Sequence, residues 1–130
     1  MEQFKLIVNT NVERYPILIG ENLISNLSKI LKKNSIIFKQ CLLVVDKKVP
    51  KKNVVRLKRS LKNKKIYVHF ILANEKNKNQ KNIDKILNLL LIKNFSRQDC
   101  LIAVGGGITG DLGGFAASLF KRGLKFINIP

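Results

Sequence analysis

Apolar residues along this chain fall into short continuous runs separated by stretches in which they recur at helical spacing. Phe4 to Val8 and Tyr15 to Ile19 flank a polar TNVER turn, which predicts an opening pair of strands. Leu23, Ile24, Leu27, Ile30 and Leu31 follow Gly20 at three- and four-residue intervals, predicting an amphipathic helix that stops in a Lys-Lys-Asn segment. Cys41 to Val45 is continuous, short and partly β-branched, the pattern of a strand buried on both faces. Val54, Val55, Leu57 and Leu61 predict a short helix after Pro50, and Ile66 to Leu72 a further strand. Ile83, Ile86, Leu87, Leu90 and Leu91 form one face of a helix before Asn94, and Cys100 to Val104 is again a continuous strand. A helix over about Asp111 to Lys121 and a strand over Phe126 to Ile129 complete the chain, which ends at Pro130. Strands alternating with helices predict an α/β fold, a Rossmann-like parallel sheet flanked by helices, in one domain spanning 1–130.

Charge changes this picture little. Lys and Arg number 25 against 8 Asp and Glu, a net charge of +17, and residues 47–65 hold ten basic residues and no acidic one. Lys, Asn and Ile share A/T-rich codons and make up 50 of the 130 residues, so coding bias explains the surplus without a function. No aromatic residue interleaves the basic run to stack on bases, so it reads as a solvated helix with no specific nucleic-acid partner. No apolar stretch approaches the roughly 18 residues of a membrane span, and the N-terminus lacks the pattern of a secretory signal, which makes the cytoplasm the expected compartment. Cys41 and Cys100 are far apart in sequence, and His69, the single histidine, has no ligand-forming neighbour, so no metal-ligand spacing exists.

The chemistry is concentrated where the strand ending at Val104 runs into GGGITGDLGGF. Consecutive glycines allow positive φ and close approach of backbone to an anion, and the following helix presents free N–H groups and the positive end of its dipole. Such a turn at the carboxyl end of a parallel strand forms a phosphate or pyrophosphate cradle, or else simply a tight turn with close helix packing.

The segment GGGITGDLGGFAASLFKRGLKFINIP resembles the 3-dehydroquinate synthase family, whose corresponding segment reads GGG-x-x-GD-x-x-GF-A-A, then Arg-Gly, then an apolar strand into Pro-Thr-Thr. Tyr15-Pro-Ile-Leu-Ile-Gly20, Val45-Asp46 and Glu75 with Lys78 are similar to earlier landmarks of the same family, while Ala73-Asn74, Lys48 and Asn77 depart from it. The resemblance implies the N-terminal domain of the dehydroquinate synthase-like fold, and an NAD-dependent lyase of the shikimate pathway. That enzyme converts 3-deoxy-D-arabino-heptulosonate 7-phosphate to 3-dehydroquinate plus phosphate. By position it implies cofactor contacts at Asp46, Glu75, Lys78, Gly106, Gly107, Ile108, Thr109, Gly110 and Asp111, and a substrate-binding role for Arg122. Each also has a plainer reading: Asp46 as a turn cap, Lys78 as a solvated lysine, Asp111 as a helix-start charge, and Arg122 as a helix-end charge. The divalent metal of the family, zinc or cobalt, has its Glu, His and His ligands in a mainly helical second domain downstream of the residues present here. The implied protein is therefore the N-terminal part of a synthase, cut from a longer product, encoded as half of a split gene, or left by gene decay. It is expected to be inactive alone and homodimeric when complete. The alternatives are a metal-dependent polyol dehydrogenase or other sugar-phosphate cyclase of the same fold, and a non-enzymatic remnant that binds nucleotides or polyanions.

Overall fold

The computed structural model describes residues 3–11, 13–120 and 123–130. Strands β1 (Gln3–Asn9) and β2 (Arg14–Gly20) form an antiparallel hairpin with Phe4 opposite Ile19, Leu6 opposite Ile17 and Val8 opposite Tyr15. At its turn the Thr10 amide and hydroxyl both donate to the Glu13 carbonyl. Val12 of the expected TNVER turn lies outside the described residues. The remaining elements run α1 (Leu27–Lys33), β3 (Gln40–Asp46), α2 (Lys51–Ser60), β4 (Lys65–Ile71), a 3-10 turn (Glu75–Asn77), α3 (Gln80–Ile92), β5 (Cys100–Val104), α4 (Gly107–Leu119) and β6 (Lys125–Ile129). The four later strands make one all-parallel sheet in the order β4-β3-β5-β6.

The central strands β3 and β5 are buried on both faces, as their continuous apolar runs require. Because successive side chains point to opposite faces, Cys41, Leu43, Val45, Cys100, Ile102 and Val104 pack beneath α1 and α2, together with Leu27, Leu31, Leu57 and Leu61. Leu42, Val44 and Leu101 point the other way, onto Ile83, Ile86 and Leu90 of α3 and Leu112, Ala116 and Ala117 of α4. The result is a helix–sheet–helix sandwich with a core on each face. Fully burying an aliphatic side chain of this kind contributes about 1.5–3 kcal/mol, so the two cores dominate stability.

Local chemistry sets the element ends. Asn79 caps α3, its side chain accepting from the Asn82 amide at 3.0 Å, and Asn94, at φ 58°, follows the last turn in the left-handed conformation. The helix expected from Leu23 becomes regular only at Leu27: residues 23–26 form turns in which the Asn26 amide donates to the Asn22 and Leu23 carbonyls and its side chain to the Asn22 carbonyl. The last helix starts earlier than its periodicity suggested, at Gly107 instead of Asp111. Further along α4, tertiary packing overrides the poor helix propensity of glycine: a Cβ on Gly113 would stand 3.1 Å from that of Ala103, and one on Gly114 3.3 Å from the Phe126 ring. Those glycines let α4 lie close on β5 and β6.

Cys41 and Cys100 stand opposite each other on β3 and β5, both free and fully buried. Burial pushes the Cys41 thiol up to about 12, with Lys64 opposing only in part, and desolvation raises that of Cys100 as well. Both are therefore inert thiols, since the thiolate is the nucleophile. At pH 8 a disulfide reagent is expected to label the native chain at least 1,000-fold more slowly than the guanidinium-unfolded chain; comparable rates would contradict this burial.

Candidate nucleotide-binding crevice

From β3 the chain passes through α2 to β4 on one side, then returns through α3 across β3 to β5 on the other. The carboxyl ends of β3 and β5 therefore flank a topological switch point, where open α/β sheets leave a crevice for ligands. Asp46 ends β3 on one wall, and Gly105 and Gly106 lead from β5 into α4 on the other.

The three glycines differ in role. Only Gly105 has a left-handed backbone, at φ 149°, and its amide donates to the Ile129 carbonyl at 3.0 Å. A Cβ there would lie 2.7 Å from Thr109 Oγ1 and 3.0 Å from Asp46 Cβ. Gly106 caps α4 in an extended conformation at φ −78°, without a capping side chain, and Gly107 is the first helical residue. Of the triplet, Gly105 alone uses the positive φ that glycine allows, and α4 is already winding at Gly107. At Gly106 and Gly107 a Cβ would meet nothing within 4 Å, so this flank is open. Gly110 makes the first intrahelical bond, to the Gly106 carbonyl at 3.1 Å, so the amides of Gly107, Ile108 and Thr109 lie ahead of the i→i−4 ladder at the positive end of the dipole.

Around this opening the other expected site residues take distinct places. Asp46 is nearly buried, one carboxylate oxygen accepting from the Lys48 amide at 3.1 Å, which orients the group. Glu75 and Lys78 lie exposed on the loop after β4. That loop is shaped by two departures from the family pattern: Asn74 accepts from the Asn77 amide at 2.8 Å, and the Asn77 side chain donates to the Leu72 carbonyl at 2.9 Å. Lys78 crosses to α4 and pairs with Asp111 at 2.9 Å, the single salt bridge among the described residues. Its hydrogen bond and attraction to Asp111 raise the Lys78 pKa. Asp111 lies beyond the first turn of α4, so it bridges to this loop instead of complementing the helix start.

Three expected contacts offer no side chain to this opening. Ile108 packs against the α3–α4 core, which leaves its backbone for a ligand. Gly110 gives room to the Asn128 amide, 3.0 Å from where a Cβ would sit. Thr109 is fully buried under Gly105, and its Oγ1 is the one buried side-chain polar atom among the described residues without a hydrogen-bond partner. Asn128, on the carboxyl end of β6, belongs to the rim and was not indicated by any motif. Arg122 lies outside the described residues. No three His, Cys, Asp or Glu side chains converge among the described residues, and no helix among them is long and apolar enough to cross a membrane.

Residues 68–130 match the family described as 3-dehydroquinate synthase N-terminal. The whole chain is 55% identical to a 3-dehydroquinate synthase of Pelagibacter ubique (strain HTCC1062), covering 35% of that protein. A 3-dehydroquinate synthase of Buchnera aphidicola subsp. Cinara cedri (strain Cc) is 39% identical over 95% of this chain, which covers 34% of it. The chain thus spans about a third of the length of these curated relatives. The fold is that of 2-deoxy-scyllo-inosose synthase, solved with carbaglucose-6-phosphate, NAD+ and Co2+: the TM-score is 0.87 at 20% identity, over 98% of this chain and 34% of that one. With its relatives matching it from end to end, the chain belongs to the 3-dehydroquinate synthase family and corresponds to the N-terminal part of its members.

Proposed function

We propose that this chain is the NAD-binding part of a 3-dehydroquinate synthase, which converts 3-deoxy-D-arabino-heptulosonate 7-phosphate to 3-dehydroquinate and phosphate. The observation that carries this reading is the open, Cβ-free start of α4 at the switch point, with helix-start amides aimed at the space beside Gly106 and Gly107. The residues present fit a dinucleotide. The amides of Gly107, Ile108 and Thr109 would hold the pyrophosphate, and the oriented Asp46 carboxylate would accept from ribose hydroxyls, as acidic residues at a strand end do in dinucleotide folds. Glu75 and Lys78 would close over the nucleotide from the loop after β4, with Lys78 held in place by Asp111. Bound there, NAD supplies reversible hydride transfer; this chain's own residues bind and orient it.

Arg122 would bind phosphate or carboxylate of the sugar-acid substrate, for which the paired N–H groups of a guanidinium are suited. The divalent metal would take its ligands from the two-thirds of the relatives' length that this chain does not span.

Calorimetric titration of the 130-residue chain tests the cofactor assignment. NAD is expected to bind at about 0.15 M salt with a dissociation constant near 1 mM, about 4 kcal/mol, and to be displaced by ADP. A lysine-driven polyanion binder would instead lose affinity steeply with salt and show no competition between the two nucleotides. Phosphate release from the heptulosonate phosphate, with NAD and zinc, is expected only when a polypeptide supplying the remaining part of the Pelagibacter relative is added; turnover by the chain alone would overturn the proposed division of labour.

A further inference from the structure

Thr109 is the third residue of α4, and its side chain is fully buried with no hydrogen-bond partner for Oγ1 among the described residues. A hydroxyl in that position gives up its bonds to water and gains none in return. A threonine inside a helix commonly donates to the carbonyl four residues back, here that of Gly105, and this bond is not made. What the hydroxyl meets instead is the space beside the Gly105 Cα. A Cβ there would stand 2.7 Å from Thr109 Oγ1 and 3.0 Å from Asp46 Cβ, so the two side chains close on one point, from α4 and from the end of β3. With glycine at 105, no Cβ stands between them.

We propose that Thr109 is a positioning residue for ribose recognition: when a nucleotide is bound, its hydroxyl donates to the Asp46 carboxylate past Gly105. This rests on the assignment of the crevice to a dinucleotide, and it gives the Thr109 side chain a role apart from that of its amide, which acts through the helix start. One Asp46 oxygen accepts from the Lys48 amide at 3.1 Å. A carboxylate offers about four acceptor positions, so ribose hydroxyls and Thr109 can be added without displacing Lys48. Rotation about the Asp46 side-chain bonds sweeps the carboxylate oxygens through the region next to the buried hydroxyl. Bound ribose supplies the reason for that turn, because its hydroxyls hold the carboxylate from the crevice while Thr109 holds it from the sheet side. A hydrogen bond to a charged acceptor, shielded from water, is among the stronger kinds. Without nucleotide the hydroxyl stays unpaired, so the chain carries a destabilising group that the bound state alone satisfies, function held at the expense of stability.

Two variants of the 130-residue chain test this: Thr109→Val keeps the shape and removes the hydroxyl, whereas Thr109→Ser keeps the hydroxyl. Without nucleotide, the thermal midpoint of Thr109→Val is expected to equal that of wild type or exceed it by up to about 5 °C, since a methyl replaces a buried, unpartnered oxygen. Affinities for ADP and for 2′,3′-dideoxy-ADP, followed by shifts of amide resonances at about 0.15 M salt, then isolate the contribution of the ribose hydroxyls. Wild type and Thr109→Ser are expected to prefer ADP by about tenfold or more, and Thr109→Val by about twofold or less. A lowered midpoint in Thr109→Val would show that the hydroxyl already has a partner in the fold, and would overturn the proposal. So would an ADP preference that survives Thr109→Val, its loss in Thr109→Ser, or equal weakening of both nucleotides at a constant ratio. These results leave the dinucleotide assignment standing. A wild-type chain that binds the two nucleotides equally would take Asp46 away from the ribose and the proposal with it, and one that binds neither would bring down the cofactor assignment as well.

Discussion

Replacing Gly106 with valine is expected to remove NAD binding below detection while leaving the fold standing. The position is extended at φ −78°, a conformation valine adopts readily, and its added atoms point into space with no protein atom within 4 Å of the Cβ. Valine is a poorer helix cap than glycine, but it also restricts the unfolded chain, and these opposing effects are each about 1 kcal/mol or less. The thermal midpoint should move by no more than about 5 °C. Binding is different, because the open space is where an anion must sit to reach the helix-start amides. Two methyl groups there hold it away from donors that act only at about 3 Å. With a wild-type constant near 1 mM, a loss of 100-fold already lies beyond calorimetric reach. Retained binding with normal stability would move the dinucleotide elsewhere on the molecule; a collapsed midpoint would mean that Gly106 is a packing residue.

The sheet was legible in the sequence because burial writes it there. A strand covered on both faces cannot carry polar residues, and Cys41 to Val45 and Cys100 to Val104 stand out as uninterrupted apolar runs at the positions where β3 and β5 form the middle of the sheet. Asp46 and the glycine triplet were legible for the same reason, since they stop those runs and a parallel strand ends where ligands bind. The start of α4 was not. Its first residues read as a loop by propensity, whereas in the fold Thr109 is fully buried and Gly110 packs on Asn128, long-range contacts to which propensity is blind. The pairing of Lys78 with Asp111 spans 33 positions and depends on how the loop after β4 approaches α4, which no local pattern encodes. The burial of Thr109 is likewise a consequence of that docking: one turn into the helix its side chain faces the sheet, while its amide remains at the opening. The motif therefore marked the right segment without saying which atoms of it face the crevice.

Gly105→Ala is expected to do the reverse of the Gly106 substitution, lowering stability far more than the change of one methyl group suggests. At φ 149° the backbone occupies a region that residues with a Cβ rarely enter, a strain of about 1–3 kcal/mol. The new methyl would also stand 2.7 Å from Thr109 Oγ1, 3.1 Å from Thr109 Cβ and 3.0 Å from Asp46 Cβ, and overpacking of this kind adds about 1–3 kcal/mol. Against a total stability of about 5–15 kcal/mol this is a large fraction, and the thermal midpoint should fall by roughly 10–20 °C. The two contributions separate in a double variant. Thr109→Ala removes the hydroxyl nearest the methyl, and that hydroxyl is itself buried without a partner, so its loss forfeits no hydrogen bond within the described chain. In the Thr109→Ala background the cost of Gly105→Ala should drop by about 1 kcal/mol or more, the coupling expected of residues in contact, while the backbone strain persists. Guanidinium unfolding of the four proteins in the cycle measures both quantities. A stable Gly105→Ala variant would show that the turn can relax to a negative φ, and strict additivity would show that the methyl and the Thr109 hydroxyl do not meet.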